Sequence, residues 1–98
     1  MRIVWSPRAL ERVDEIAEFI ARDRPQAAEA WVEEIFAAAE RLAAFPESGR
    51  IVPEMRGKEI REVIEGSFRI IYRLEQRQIA VLTVRHSRQV TNPEDILG

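Results

Sequence analysis

One histidine and a set of arginines in the last third of the chain are the residues best suited to chemistry. His86 is the only histidine in 98 residues, and histidine is the side chain that most readily exchanges a proton near neutral pH. It ends an apolar segment, IAVLTVRH, and is flanked by Arg85 and Arg88. Arg61, Arg69 and Arg88 come from successive strand candidates or their ends. Neighbouring strands lie about 4.8 Å apart, so one register would gather these guanidinium groups around a single phosphate or carboxylate. Arg73 shares the face of Arg69 in the alternating run FRIIYRL. The competing expectation is that the arginines pair with Glu59, Glu62, Glu65 and Glu75 across the same strands. Cleavage of RNA by its own 2′-hydroxyl needs a base, an acid and cations around one phosphate. The cations are at hand, but Lys58 is the only lysine, Tyr72 the only tyrosine, and no titratable aromatic follows His86.

These residues need strands to hold them, and residues 61 to 88 supply the pattern. FRIIYRL alternates with a period of two, which sends Phe68, Ile70, Tyr72 and Leu74 to one face and Arg69, Ile71 and Arg73 to the other. The last segment is apolar on both sides, as expected of a central strand covered on both faces. Strands are expected at about 59–65, 68–75 and 79–86, joined by Gly66-Ser67 and by Gln76-Arg77-Gln78 as an antiparallel meander. A short strand at Arg2–Trp5 precedes them. Ser6-Pro7 opens a helix whose apolar positions Leu10, Val13, Ile16 or Ala17, and Ile20 recur every three or four residues to about Asp23. Asp23-Arg24-Pro25 allows only a tight corner before a second helix through Ala28, Trp31, Val32, Ile35, Ala39, Leu42 and Phe45. Trp31 and Phe36 read first as core or helix–helix contacts. Phe45-Pro46 stops that helix and a loop with prolines and glycines follows; in the tail Gln89–Gly98, Asn92-Pro93-Glu94-Asp95 reads as a turn or the start of a short helix, with no fixed structure assigned. The fold class is α+β, two antiparallel N-terminal helices on a small, mainly antiparallel sheet in the order β-α-α-β-β-β, forming one domain over residues 1–98.

Composition narrows the chemistry. The chain has no cysteine, which removes disulfides, thiolate nucleophiles and cysteine-based zinc sites, and a lone histidine removes histidine clusters. No metal or cofactor is expected. The net charge of −2 argues against general nucleic-acid binding. The charge is nevertheless uneven: residues 1–50 carry seven basic and ten acidic side chains, whereas residues 61–88 carry six arginines against three glutamates. No signal peptide or membrane-spanning run is apparent, so a soluble, cytoplasmic protein is expected.

The order of these pieces resembles the RelE/ParE toxin superfamily of bacterial toxin–antitoxin systems, and its ParE branch more closely. The resemblance runs from IVWSPRALERVDEIAEFIA through AAEAWVEEIFAAAERLAAFPESGR to IREVIEGSFRIIYRLE and VLTVRHSR. It rests on L-x-x-F-P-x-S-G-R, I-R-E and F-R-I-I-Y-R occurring together in this order. It implies two helices packed on a small antiparallel sheet and a ParD-like antitoxin held on the helical hairpin, with Trp31, Ile35, Phe36 and Leu42 as its contacts. ParE-like members poison DNA gyrase without catalysing a reaction, which would make Arg61, Arg69, Arg73, His86 and Arg88 target-binding residues. RelE-like members cut messenger RNA in the ribosome, and on that alternative His86, Arg61, Arg69 and Arg88 would be catalytic. The chain lacks the loop lysine pair and terminal tyrosine of the nuclease pattern. It also departs from the common ParE ending Arg-Asp, because Gln89 follows Arg88.

Overall fold

The computed structural model describes residues 1–55, 59–89 and 92–97. The chain forms β1 (Arg2–Trp5), α1 (Pro7–Ala21), α2 (Pro25–Arg41), β2 (Arg50–Ile51), a 3-10 turn at Pro53–Met55, β3 (Ile60–Glu65), β4 (Phe68–Leu74), β5 (Gln78–His86) and α3 (Pro93–Leu97). The Ser6 hydroxyl accepts from the Ala9 amide at 3.0 Å and so caps α1, with Pro7 in its first turn. Pro25 opens α2 in the same way, though no side chain caps it. α1 runs just past its last apolar position, Ile20, whereas α2 stops at Arg41, before Leu42 and Phe45 of its pattern. The backbone tightens after Arg41, where the Leu42 amide bonds the Ala39 carbonyl at 3.0 Å.

The five strands lie in the order β1-β5-β4-β3-β2. β3, β4 and β5 form the expected antiparallel meander, and β1 pairs with β5 in parallel, Arg2 opposite Gln78 and Trp5 opposite Val81. Gly66 turns the β3–β4 hairpin with φ +59°, a conformation that L side chains rarely adopt. A bulge between Ile71 and Tyr72 leaves Leu82 as an extra residue on β5. The extra residue reverses the alternation of β5 there. Val84 therefore joins Ile70 beneath the helices, Val81 and Ile79 continue the same face, and Leu82 packs on the other side with Ile71.

Two cores result. Ala9 and Val13 of α1, with Ile35, Ala38 and Ala39 of α2, cover Ile70, Val81 and Val84. On the far face Val52, Met55, Ile60, Ile71, Leu82 and Ile96 form a second cluster. That second cover explains why β5 is apolar on both sides, and it comes from Val52 and Met55 before β3 and from Ile96 of the tail, where Asn92-Pro93-Glu94-Asp95 does start a short helix.

Tyr72 ties the sheet to the loop after α2. Its buried hydroxyl donates to the Pro46 carbonyl at 2.7 Å and accepts from the Gly49 amide at 3.0 Å. A Cβ on Gly49 would stand 2.6 Å from that hydroxyl and 2.7 Å from the Glu62 carbonyl, so only glycine allows this approach. Tyr72→Phe strands both loop groups and is expected to cost about 1–3 kcal/mol in urea unfolding. An unchanged midpoint would show that water replaces the hydroxyl without loss. Burial pushes the Tyr72 phenol above its ordinary pKa, against smaller opposing contributions from the Gly49 amide and Arg61. Stability held by the neutral phenol is complete below the ordinary value, about 10, and is lost as pH rises through the raised one.

Candidate functional site

The register decides where the arginines go, and it separates them. Arg61 lies opposite Tyr72, whose side chain joins the helix-side core, while Arg69 lies opposite Ile64 and Arg85 on the far face. Arg61 and Arg69 therefore open on opposite sides of the sheet and cannot hold one phosphate. Arg61 is engaged near the end of α2, where Nη1 donates to the Gly49 carbonyl at 2.9 Å and Nε stands 3.9 Å from Glu59. Arg73, on the far face, is 3.7 Å from Glu75 and about half exposed.

Arg69 is a structural residue rather than a target-facing one. It is 5% exposed and sits beside Glu62, which is 1% exposed. Its Nε and Nη2 both donate to Glu62 Oε1, while Arg50 Nε donates to Oε2. Glu54 and the Gln89 carbonyl complete the shell, each at 3.4 Å. The arrangement follows from a carboxylate forced inward at the centre of β3: burying it is tolerable only with paired, hydrogen-bonded cations. The expectation that arginines pair with glutamates of the meander thus holds for Arg69, Arg61 and Arg73.

A second buried carboxylate lies where β1 has ended and β5 has an open edge. Asp95 of α3 accepts from Arg8 Nη1 at 3.0 Å and from Arg12 Nη2 through Oδ1, and from Thr83 Oγ1 at 3.1 Å and Arg85 Nη1 at 3.3 Å through Oδ2. Burial alone would push its pKa up. The bonds from Arg12, Arg8 and Thr83, with the charge of Arg12, outweigh that and hold it below the usual carboxylate range. The stability Asp95 contributes is complete above the ordinary value, about 3.9, and is lost as pH falls through the lower folded one. Acid titration of the wild type is expected to release α3 in that window, and Asp95→Asn to abolish this step. An identical acid profile for both proteins would remove Asp95 from the account.

His86 and Arg88 remain at the surface, where β5 turns. The His86 ring stacks edge-on against Phe68 at 5.4 Å, and Phe68 meets Trp31 in the same way at 5.1 Å. His86 Nδ1 accepts from the Arg88 backbone amide at 3.1 Å, which leaves Nε2 to carry the proton of the neutral ring. The His86 amide donates to Gln89 Oε1 at 3.2 Å. Arg88 is exposed, and its guanidinium makes no ion pair with the described residues. Beside His86 an open groove of about 520 Å³ runs between Ile16, Phe19 and Ile20 of α1 and Phe68. Of the residues expected to meet a target, only His86 and Arg88 lie together with free surface.

The four helix residues expected to contact an antitoxin are turned inward. Ile35 and Leu42 are 0% and 2% exposed, deep in the core. Trp31 packs on Phe68, and Phe36 lies 4.5 Å from Trp5, both half-buried against the sheet. The reason is geometric: two helices must cover a whole sheet face, so the stripe of α2 is consumed by it. Among the described residues the large exposed apolar side chains are Leu10 and Phe19 on α1, with Met1, Phe45, Ile51 and Ile64 elsewhere. Leu10 had the spacing of a core residue, but Ala9 takes that place. Lys58 lies outside the described residues. Neither the Asp95 cluster nor the groove was anticipated; the only sequence signal for Asp95 was an acidic residue beside an isoleucine in the tail.

Comparison with known proteins places this arrangement in a family. The profile of the ParE toxin of type II toxin–antitoxin systems, parDE, matches residues 3–91. Y4kP, a toxin candidate of Sinorhizobium fredii, is 41% identical over 90 residues, spanning 90% of each chain. Among solved structures, a chain of the chromosomal ParDE system of P. aeruginosa superposes with a TM-score of 0.75 at 20% identity, covering 88% of this chain and 95% of that one. A chain of the RelBE2 toxin–antitoxin complex of Mycobacterium tuberculosis does so with 0.60 at 18%, covering 87% and 95%. At these identities the two structures speak to the fold, which they share.

Proposed function

The chain belongs to the ParE toxin family of type II toxin–antitoxin systems, and from that premise we propose that it inhibits DNA gyrase by stabilising the cleaved DNA complex. The observation that carries this reading is the half-buried His86 beside the exposed Arg88 at the end of β5. A hydrogen bond from the Arg88 amide to the ring fixes their geometry, and the Arg88 charge is left available to a partner. Such a pair suits binding. Cutting RNA would need further cations around the same phosphate, and Arg61 and Arg69 are committed to other contacts on opposite faces. The protein is accordingly read as a binder rather than an enzyme, acting in the cytoplasm where its target resides.

A ParD-like antitoxin is the proposed partner that silences it. The exposed apolar side chains Leu10 and Phe19 and the groove beside Phe68 offer the surface such a segment would cover. His86 lines the same groove, so a segment seated there would mask the target-binding end as it bound. Phe19 is 68% exposed, with the Arg22 guanidinium over its ring. Phe19→Asp is therefore expected to weaken antitoxin binding about tenfold or more while leaving thermal unfolding unchanged. Equal affinity in a titration would move the antitoxin elsewhere.

The function is tested with purified toxin, gyrase, ATP and plasmid. Gyrase-dependent linear DNA after protein digestion is the expected product. Undiminished supercoiling, with cleaved messenger in translating ribosomes instead, would replace this reading with the nuclease one.

A further inference from the structure

The Asp95 cluster holds more donors than its carboxylate can use. Oδ1 and Oδ2 each accept two hydrogen bonds, from Arg8 and Arg12 and from Thr83 and Arg85. That fills the roughly four lone-pair sites of a carboxylate. Two buried N–H groups of the same cluster, Arg12 Nε and Arg85 Nε, have no partner among the described residues. For Arg12 the excess is directional. Nε and Nη2 form one edge of the planar fork, and Nη2 is the atom that donates to Asp95. A side-on fork with one prong engaged and the other buried and idle fits a guest with more oxygens.

Charge points the same way. The facing groups are the guanidinium groups of Arg8, Arg12 and Arg85 against Asp95, with Glu15 held on Arg12 Nη1 at the exposed side and Glu94 beside Arg8 and Asp95 at the rim. With α3 docked this set is neutral; with α3 away, Asp95 and Glu94 leave together and the three guanidinium groups face only Glu15, an excess that a dianion would balance. Among the described residues α3 is a five-residue helix anchored by Asp95 and by Ile96 in the far-face core. Its departure would open the edge of β5 without breaking a strand pairing.

We propose that Arg8, Arg12, Thr83 and Arg85 form a binding site for a phosphate-class oxyanion, which the chain's own Asp95 fills and blocks in the structure described. The C-terminal helix is then an internal competitor of the ligand. The site borders the His86 groove, since Glu15 lines that groove and pairs with Arg12, but the proposal does not depend on gyrase being the target.

The test uses the full chain carrying Asp95→Ala, isotope-labelled, with inorganic phosphate titrated at constant ionic strength and the arginine Nε–H and Thr83 signals followed by NMR. The variant is expected to show saturable shifts at Arg12, Arg85 and Thr83. Wild type should need about tenfold more phosphate or more, and a further Arg12→Gln should abolish the response. If the alanine variant fails to fold, Asp95→Asn carries the same titration, because it keeps the shape and removes the charge. A folded variant with no saturable shift, or a wild type that binds as tightly, overturns the proposal. A single-stranded oligonucleotide in a parallel arm supports a nucleic-acid backbone as the source if it binds the variant more tightly than phosphate and loses that with Arg12→Gln. Binding no tighter than phosphate supports a small phosphate ligand.

Discussion

Arg69→Ala is expected to abolish toxicity by unfolding the protein, with a loss of about 3–5 kcal/mol and a fall in melting temperature on the order of 20 °C. Arg69 supplies both bonds to Oε1 of a carboxylate that is 1% exposed. Without it Glu62 keeps only Arg50, a residue largely in solvent. Protonating Glu62 or drawing water into the sheet would recover part of the loss, but either opens the far-face core. Thermal unfolding by circular dichroism checks this directly. A melting temperature within about 3 °C of wild type would show that Glu62 is satisfied without Arg69. The consequence for mapping a target site is practical: lost toxicity in this variant, alone or combined with Arg88→Ala, reports on folding and says nothing about contacts.

Arg88→Ala should separate the two effects. Its side chain is exposed and unpaired among the described residues, so stability should change by no more than about 0.5 kcal/mol. If Arg88 meets gyrase or its DNA, removing a charge-assisted bond should raise the toxin concentration needed for half-inhibition by about ten- to a hundredfold. His86→Ala should act in the same direction, because the ring accepts from the Arg88 amide and holds that turn. His86→Gln, which can still accept, should retain most of the inhibition if His86 positions rather than catalyses. Full inhibition by a folded Arg88→Ala, His86→Ala double variant would move the target site away from this end of β5.

Much of the architecture was legible before any coordinates. The cap at Ser6, the proline that opens α2, the period of two in FRIIYRL and the short turns at Gly66-Ser67 and Gln76-Arg77-Gln78 are local signals, and they specify the helical hairpin and the meander. The site was less legible. His86 and Arg88 are two positions apart in the chain, so their proximity is local and survived. Arg61 and Arg69 belong to different strands, and their relation depends on which residues face each other. A register that sets Arg61 against Tyr72 and Arg69 against Ile64 puts them on opposite faces, a difference of one residue that no composition records.

The same distinction divides the antitoxin surface and the tail. The apolar spacing of α2 marked a buried stripe, but could not say whether the sheet or a partner would bury it. With two helices over the sheet, Ile35 and Leu42 went inward, and the exposed apolar surface fell instead to Leu10 and Phe19 of α1. Asp95 lies in a short acidic segment that has no periodicity of its own. It becomes a buried carboxylate only because α1 leaves β1 at Ser6, the edge of β5 is open beyond Val81, and Arg8, Arg12 and Arg85 converge there. What the sequence determined by itself is therefore what neighbours along the chain can enforce: helix starts, strand alternation, turns, the absence of cysteine chemistry and the family resemblance. Strand register, the β5 bulge and the docking of α3 decided which arginines are free, because charges far apart in sequence are paired or separated only once the backbone has fixed the face each side chain must share.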